Sequence, residues 1–206
     1  DVVDPSSAPS ASPISNGSAN GNELLTLVNS KHPLPSGWKV SLVQLKNGQS
    51  IDRRAYAALQ DMMDDARRAG LSPLICSSYR TRAKQEELHK NQVQKFLSEG
   101  YSQSMAEQKA SQWVAPPGTS EHELGLAVDI VATDHQLLDE TQEHTPEQKW
   151  LMENCWKYGF ILRYPTSKSS ITGIGYEPWH YRYVGKDAAK QIMEQGICLE
   201  EYLNQV

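Results

Sequence analysis

GTSEHELGLAVDIV, residues 118–131, is the stretch on which the fold turns. Its first half is polar and opens on glycine. Its second half, from Gly125, is short, apolar and β-branched, the composition of a buried strand over 125–131. His122 and Asp129 lie seven residues apart in it. A helix would put them on one face, but Gly125 and the β-branched run assign His122 to a loop and Asp129 to the strand.

Upstream, Leu59, Met62, Met63 and Ala66 follow the i, i+3, i+4, i+7 rule, which predicts a helix over 53–69 ended by Gly70. The apolar run 71–79 reads as a buried strand, and a polar helix is expected over 83–97. Ser104 and Glu107 form a capping-box pattern for a helix over 105–113. Downstream, Thr145, Pro146 and Gln148 mark a helix start, and that helix runs through Trp150, Leu151, Cys155 and Trp156 to Gly159. Strands are expected over 160–164 and 179–184, and helices over 186–195 and 199–204. Helices and strands mix without βαβ alternation. The fold class is therefore α+β: one domain with helices packed on a small, mainly antiparallel sheet that carries the site.

Residues 1–22, DVVDPSSAPSASPISNGSANGN, contain almost no large apolar side chains. Such a segment gains too little from burial to offset its ordering entropy, so it is expected to be a disordered tether ahead of a domain spanning 23–206. The net charge of −5 and the lack of a basic stripe argue against nucleic acid as a partner. No stretch approaches the ~18 apolar residues of a membrane span. The chain starts at Asp1 rather than a methionine, and an N-terminal signal or anchor removed before this point is expected, which puts the domain outside the cell. In that setting Cys155 and Cys198 are expected to form a disulfide, leaving Cys76 a buried free thiol.

A second informative stretch, GYEPWHYRYV at 175–184, adds Glu177 and His180. Two histidines and one aspartate make a three-ligand zinc set that keeps a coordination position open for water. A nearby carboxylate, Glu177, can act as general base. On a regular strand Glu177 and His180 would point to opposite faces; a turn or bulge at Pro178, which cannot donate a ladder hydrogen bond, would let both reach one metal. His32, His89, His135 and His144 have no such company and are read as ordinary surface or core residues.

Several segments together resemble the VanY-type D-alanyl-D-alanine carboxypeptidases, a zinc peptidase family that includes the LdcB-type L,D-carboxypeptidases. They are LLTLVNSKHPLP (24–35), SSYRTRAKQ (77–85), GTSEHELGLAVDI (118–130), WLMENCWKYGFILRYP (150–165) and ITGIGYEPWHYRYVG (171–185). The resemblance covers about residues 24–204. It implies one zinc per chain held by His122, Asp129 and His180, with Glu177 as general base and Arg80 near the scissile bond. The expected substrate is a peptidoglycan stem pentapeptide losing its terminal D-Ala. A tetrapeptide-specific L,D-carboxypeptidase, a cross-link endopeptidase and a non-catalytic wall-binding module are the alternatives. Ser78, Gln85, Ser120, Trp179 and Tyr181 are candidate substrate contacts, and nothing in the chain calls for more than a monomer.

Overall fold

The apolar stripe on residues 53–69 does wind into a helix, and that helix supports the sheet on which the site is built. The computed structural model describes residues 23–204, so the tether expected over 1–22 falls outside the described residues. A hairpin comes first: β1 (Leu42–Gln44) pairs antiparallel with β2 (Ser50–Asp52). Asp52 then accepts from the Arg54 backbone N–H and caps α1 (Arg53–Arg68). The helix buries Ala55, Leu59, Met62, Met63 and Ala66. Each large side chain buried this way contributes about 1.5–3 kcal/mol.

The main sheet has four antiparallel strands: β3 (Pro73–Ser77), β4 (Ala127–Ala132), β5 (Phe160–Leu162) and β6 (His180–Tyr183), in the order β3-β4-β6-β5. Side chains alternate on β4. Val128 and Ile130 join Met62, Leu151, Phe160 and Tyr181 in the main core, while Asp129 points to the opposite face. α4 (Pro146–Asn154) starts at the Thr145 cap with Pro146 at its first position, as its sequence implies. Between β3 and β4 the chain forms α2 (Arg82–Ser98) and α3 (Gln103–Ser111), which pack on each other through Val93, Ala106 and Ala110. The cap of α3 is Ser102, whose hydroxyl accepts from Met105 N–H, rather than Ser104; the helix starts two residues earlier than the capping-box pattern suggested. After β5 come the single turn α5 (Ser169–Thr172) and β6, then α6 (Lys186–Gln195) and α7 (Leu199–Tyr202), which close a second apolar cluster with Ile161 and Val184.

The expected disulfide is not formed. Cys155 lies in the main core at the end of α4, Cys198 precedes α7, and all three cysteines are free thiols. Burial pushes Cys76 and Cys155 up to about 12 and Cys198 to about 11.

Candidate metal centre and active site

Strand register sets the site. Asp129 on β4 pairs directly with His180 on β6, and on its other side it faces Ser77 on β3. Residues paired across antiparallel strands project to one face. His122 reaches the same place from a single 3₁₀ turn, Glu121–Leu124, which Ser120 caps and Gly125 ends at φ 80°. A β-carbon at Gly125 would lie 2.6 Å from Val40 Cγ2, so the loop closes only around a glycine. One ligand-type atom each from His122, Asp129 and His180 falls within a 4.8 Å cluster, and all three residues are buried.

The separation of Glu177 and His180 is resolved by a reverse turn. His180 N–H donates to the Glu177 carbonyl at 3.2 Å, with Pro178 and Trp179 as the two central residues. Both side chains therefore leave the ends of one turn on the same side, and Glu177 Oε2 lies 3.4 Å from His180 Nδ1. The same Nδ1 is 3.4 Å from Asp129 Oδ1, and His122 Nε2 is 3.4 Å from Asp129 Oδ2. Behind the cluster, His122 Nδ1–H donates to the Ser78 carbonyl at 2.7 Å.

Arg80 donates from Nη2 to Asp129 Oδ2 at 2.9 Å, from Nε to Ser77 Oγ at 2.9 Å and from Nη1 to Gln85 Oε1 at 3.3 Å. Burial alone would raise Asp129, but His122, Arg80 and His180 hold it well below the usual carboxylate range. Burial, reinforced by the Arg80 charge, lowers His122. Burial also raises Glu177, with Asp129 adding to the effect. At His180 burial is outweighed by Glu121, Glu177 and Asp129, which push it up to about 9. The raised value marks a surplus of negative charge around the ring.

A cavity of about 620 Å³ opens over this cluster. Arg80, Gln85, Ser120, His122, Asp129, Glu177, Trp179 and His180 all line it, so most of the residues singled out in the sequence meet at one place. Ser78 and Tyr181 do not line it. The Ser78 hydroxyl ties β3 to β2, accepting from Ser50 N–H and donating to the Ser50 carbonyl. Tyr181, next to His180 on the strand, points to the core and donates to Gln148 Oε1 at 2.7 Å. Other wall residues carried no signal in the sequence, among them Tyr164, whose ring centre is 4.7 Å from that of His180, Trp113, Lys95 and Leu138. His32, His89 and His135 hydrogen-bond near neighbours and His144 faces Glu143, all away from the cluster.

Residues 48–186 match the family model of the D-alanyl-D-alanine carboxypeptidase VanY. The chain belongs to the VanY family. It is 49% identical over 181 residues to a D-alanyl-D-alanine carboxypeptidase of Enterococcus faecalis, covering 87% of this chain and 65% of the enterococcal one. The match thus spans just under two thirds of that relative's length. Among solved structures it is similar to the vancomycin-resistance D,D-pentapeptidase VanY of a VanB-type cassette in complex with Zn(II), with a TM-score of 0.82, 48% identity and coverage of 88% of this chain and 99% of that one. It is also similar to the LdcB LD-carboxypeptidase, at a TM-score of 0.76 and 38% identity over 89% of this chain and 86% of the other. The fold is the VanY fold, with the His-Asp-His group on its sheet.

Proposed function

We propose that this VanY-family chain is a zinc-dependent D,D-carboxypeptidase that removes the terminal D-Ala from peptidoglycan stem pentapeptides. The observation that carries the reading is the His122, Asp129 and His180 cluster at the floor of a cavity, with Glu177 beside it. The donor set fits zinc: two imidazole nitrogens and a carboxylate oxygen. Asp129 Oδ1 is buried without a hydrogen-bond partner, and the local charge is negative. When bound there, zinc would act as a Lewis acid toward the scissile carbonyl and make a water molecule acidic near neutral pH.

The chain's own groups supply the rest. Glu177 takes the proton of the attacking water on its carboxylate and returns it to the departing D-Ala amine; burial raises its basicity for that role. Arg80 holds Asp129 and turns its exposed edge to the cavity, where it can bind the terminal carboxylate or the developing oxyanion. Trp179 and Ser120 wall the space near the substrate. Both ends of the Gln85 amide are committed, to Arg80 and to the Ala115 carbonyl at 2.7 Å. That leaves the apolar face of Trp179 for the penultimate side chain, which suits the methyl of D-Ala better than a diamino acid and favours the D,D bond.

The domain over 23–206 would work outside the membrane as a monomer, carried by the segment 1–22 as a tether, on stem peptides and not on nucleic acid. Among the described residues no helix is long and apolar enough to cross a membrane. The test is incubation with a pentapeptide ending in D-Ala-D-Ala, the matching tetrapeptide, and a C-terminally amidated pentapeptide. Release of one D-Ala from the free pentapeptide alone is expected. Exclusive cleavage of the tetrapeptide would overturn the D,D assignment, and cleavage of the amide would indicate an endopeptidase.

A further inference from the structure

His180 has a second side. Its Nδ1 faces Asp129 and Glu177, while its Nε2 lies 3.4 Å from Glu121 Oε2. Neither of these two buried atoms makes a hydrogen bond to any described residue; they face each other at ion-pair distance. The other oxygen of Glu121 is saturated: Oε1 accepts from Arg163 Nε and from Arg182 Nη1, each at 2.7 Å. The two arginines are themselves fixed. Arg163 makes a two-pronged bond to Glu200, at 2.8 Å on each oxygen, and Asn29 also donates to Glu200. Arg182 donates to the carbonyls of Leu24, Thr26 and Tyr183. Glu121, Arg163 and Arg182 have no exposed side-chain surface. An ion cluster built only to neutralise itself would turn both carboxylate oxygens toward guanidinium groups. Here one oxygen is withheld from them and aimed at a ligand ring.

We propose that Glu121 is a positioning residue that accepts the Nε2–H of His180 and so fixes the tautomer whose Nδ1 lone pair faces the metal. The proposal rests on the zinc reading above. A neutral imidazole has one N–H and one lone pair, and an ionised carboxylate can only accept, so the proton must sit on Nε2. His122 is the mirror case: its Nδ1–H is tied to the Ser78 carbonyl, which leaves Nε2 for the metal. His180 is thus tied by a charge and His122 by a neutral carbonyl, and a charged acceptor both orients the ring and raises its strength as a ligand.

Glu121→Gln tests this with almost no change in shape. The amide oxygen must stay beside the two guanidinium donors, so the NH₂ falls opposite His180 Nε2. A donor there demands an acceptor nitrogen and drives the ring proton to Nδ1, the metal side. Zinc affinity, measured by competition with a chelator, should fall by about 10–100-fold or more. Glu200→Gln removes a charge from the same buried network one residue further out, and its zinc affinity should stay within about 3-fold while its thermal stability drops. Nitrogen-15 NMR of the zinc-loaded wild-type protein should show the His180 proton on Nε2, which decides the question even if Glu121→Gln does not fold. A proton on Nδ1, a folded Glu121→Gln protein with unchanged zinc affinity, or an equal loss in Glu200→Gln would each overturn the proposal. Wild-type protein that binds no zinc would instead remove the metal reading on which it stands.

Discussion

Glu177 and His180 occupy the two ends of one turn, yet their substitutions should behave differently. His122→Ala and His180→Ala each remove a metal donor and should abolish both zinc and turnover; full zinc occupancy in either would take that residue out of the site. Glu177→Ala should keep zinc and lose about 10²–10⁴-fold in kcat, read by metal analysis alongside single-turnover kinetics. The cysteines make a third case. Thiol counting under denaturing, non-reducing conditions should find three free thiols, and alkylation of the folded protein at pH 8 should be slow because burial keeps the thiols protonated. At this scale the His-Asp-His group was legible because its residue types alone suggest zinc chemistry. Tyr181 was misplaced although the signal was present: it follows His180 on a strand, and period-two alternation sends it to the other face. Glu121 was hidden for a better reason. Its neighbours Arg163, Arg182 and His180 are at least 42 residues away in the chain, and nothing local records their approach.

The elements hold those residues by register and by closure. Asp129 and His180 are brought together by one antiparallel pairing, so a shift of a single residue would send one of them into the core. Gly125 performs the closure between the His122 turn and β4. Gly125→Ala should destabilise the fold by about 1–3 kcal/mol, from positive φ and from the contact with Val40, and should weaken zinc binding as well. Gly70→Ala has a similar φ but open space around it, and should cost roughly 1 kcal/mol with no effect on zinc. Equal thermal shifts in the two variants would count against the steric part of this account. Most elements could be read from the sequence because their apolar spacing is strong, as in α1 and β4. The β1–β2 hairpin could not: each strand has three residues, too few to show alternation, although Asn47-Gly48 is a turn signal.

At the scale of the whole molecule a buried ion network runs from Asn29 through Glu200, Arg163 and Glu121 to His180. Burial alone would raise Glu200, but Arg163 and Asn29 hold it below the usual carboxylate value. Its contribution to stability is therefore complete above the unfolded value of about 4.3 and is lost as pH falls through its lower folded value. The urea midpoint should drop steeply below pH 4, and Glu200→Gln should flatten that part of the profile; an unchanged slope would mean that Glu200 titrates alike in both states. The network also crosses the limits of the family match. Residues 48–186 contain the His-Asp-His group, Glu177, Glu121 and both buried arginines, but not Glu200, which pairs with Arg163, nor Leu24 and Thr26, whose carbonyls accept from Arg182. Transplanted by itself, that span would oppose two buried guanidinium groups with Glu121 alone and would leave several of their N–H donors without an acceptor. The segments at both ends, the 3₁₀ turn at Glu23 and α7, are therefore internal parts of the packing around those arginines.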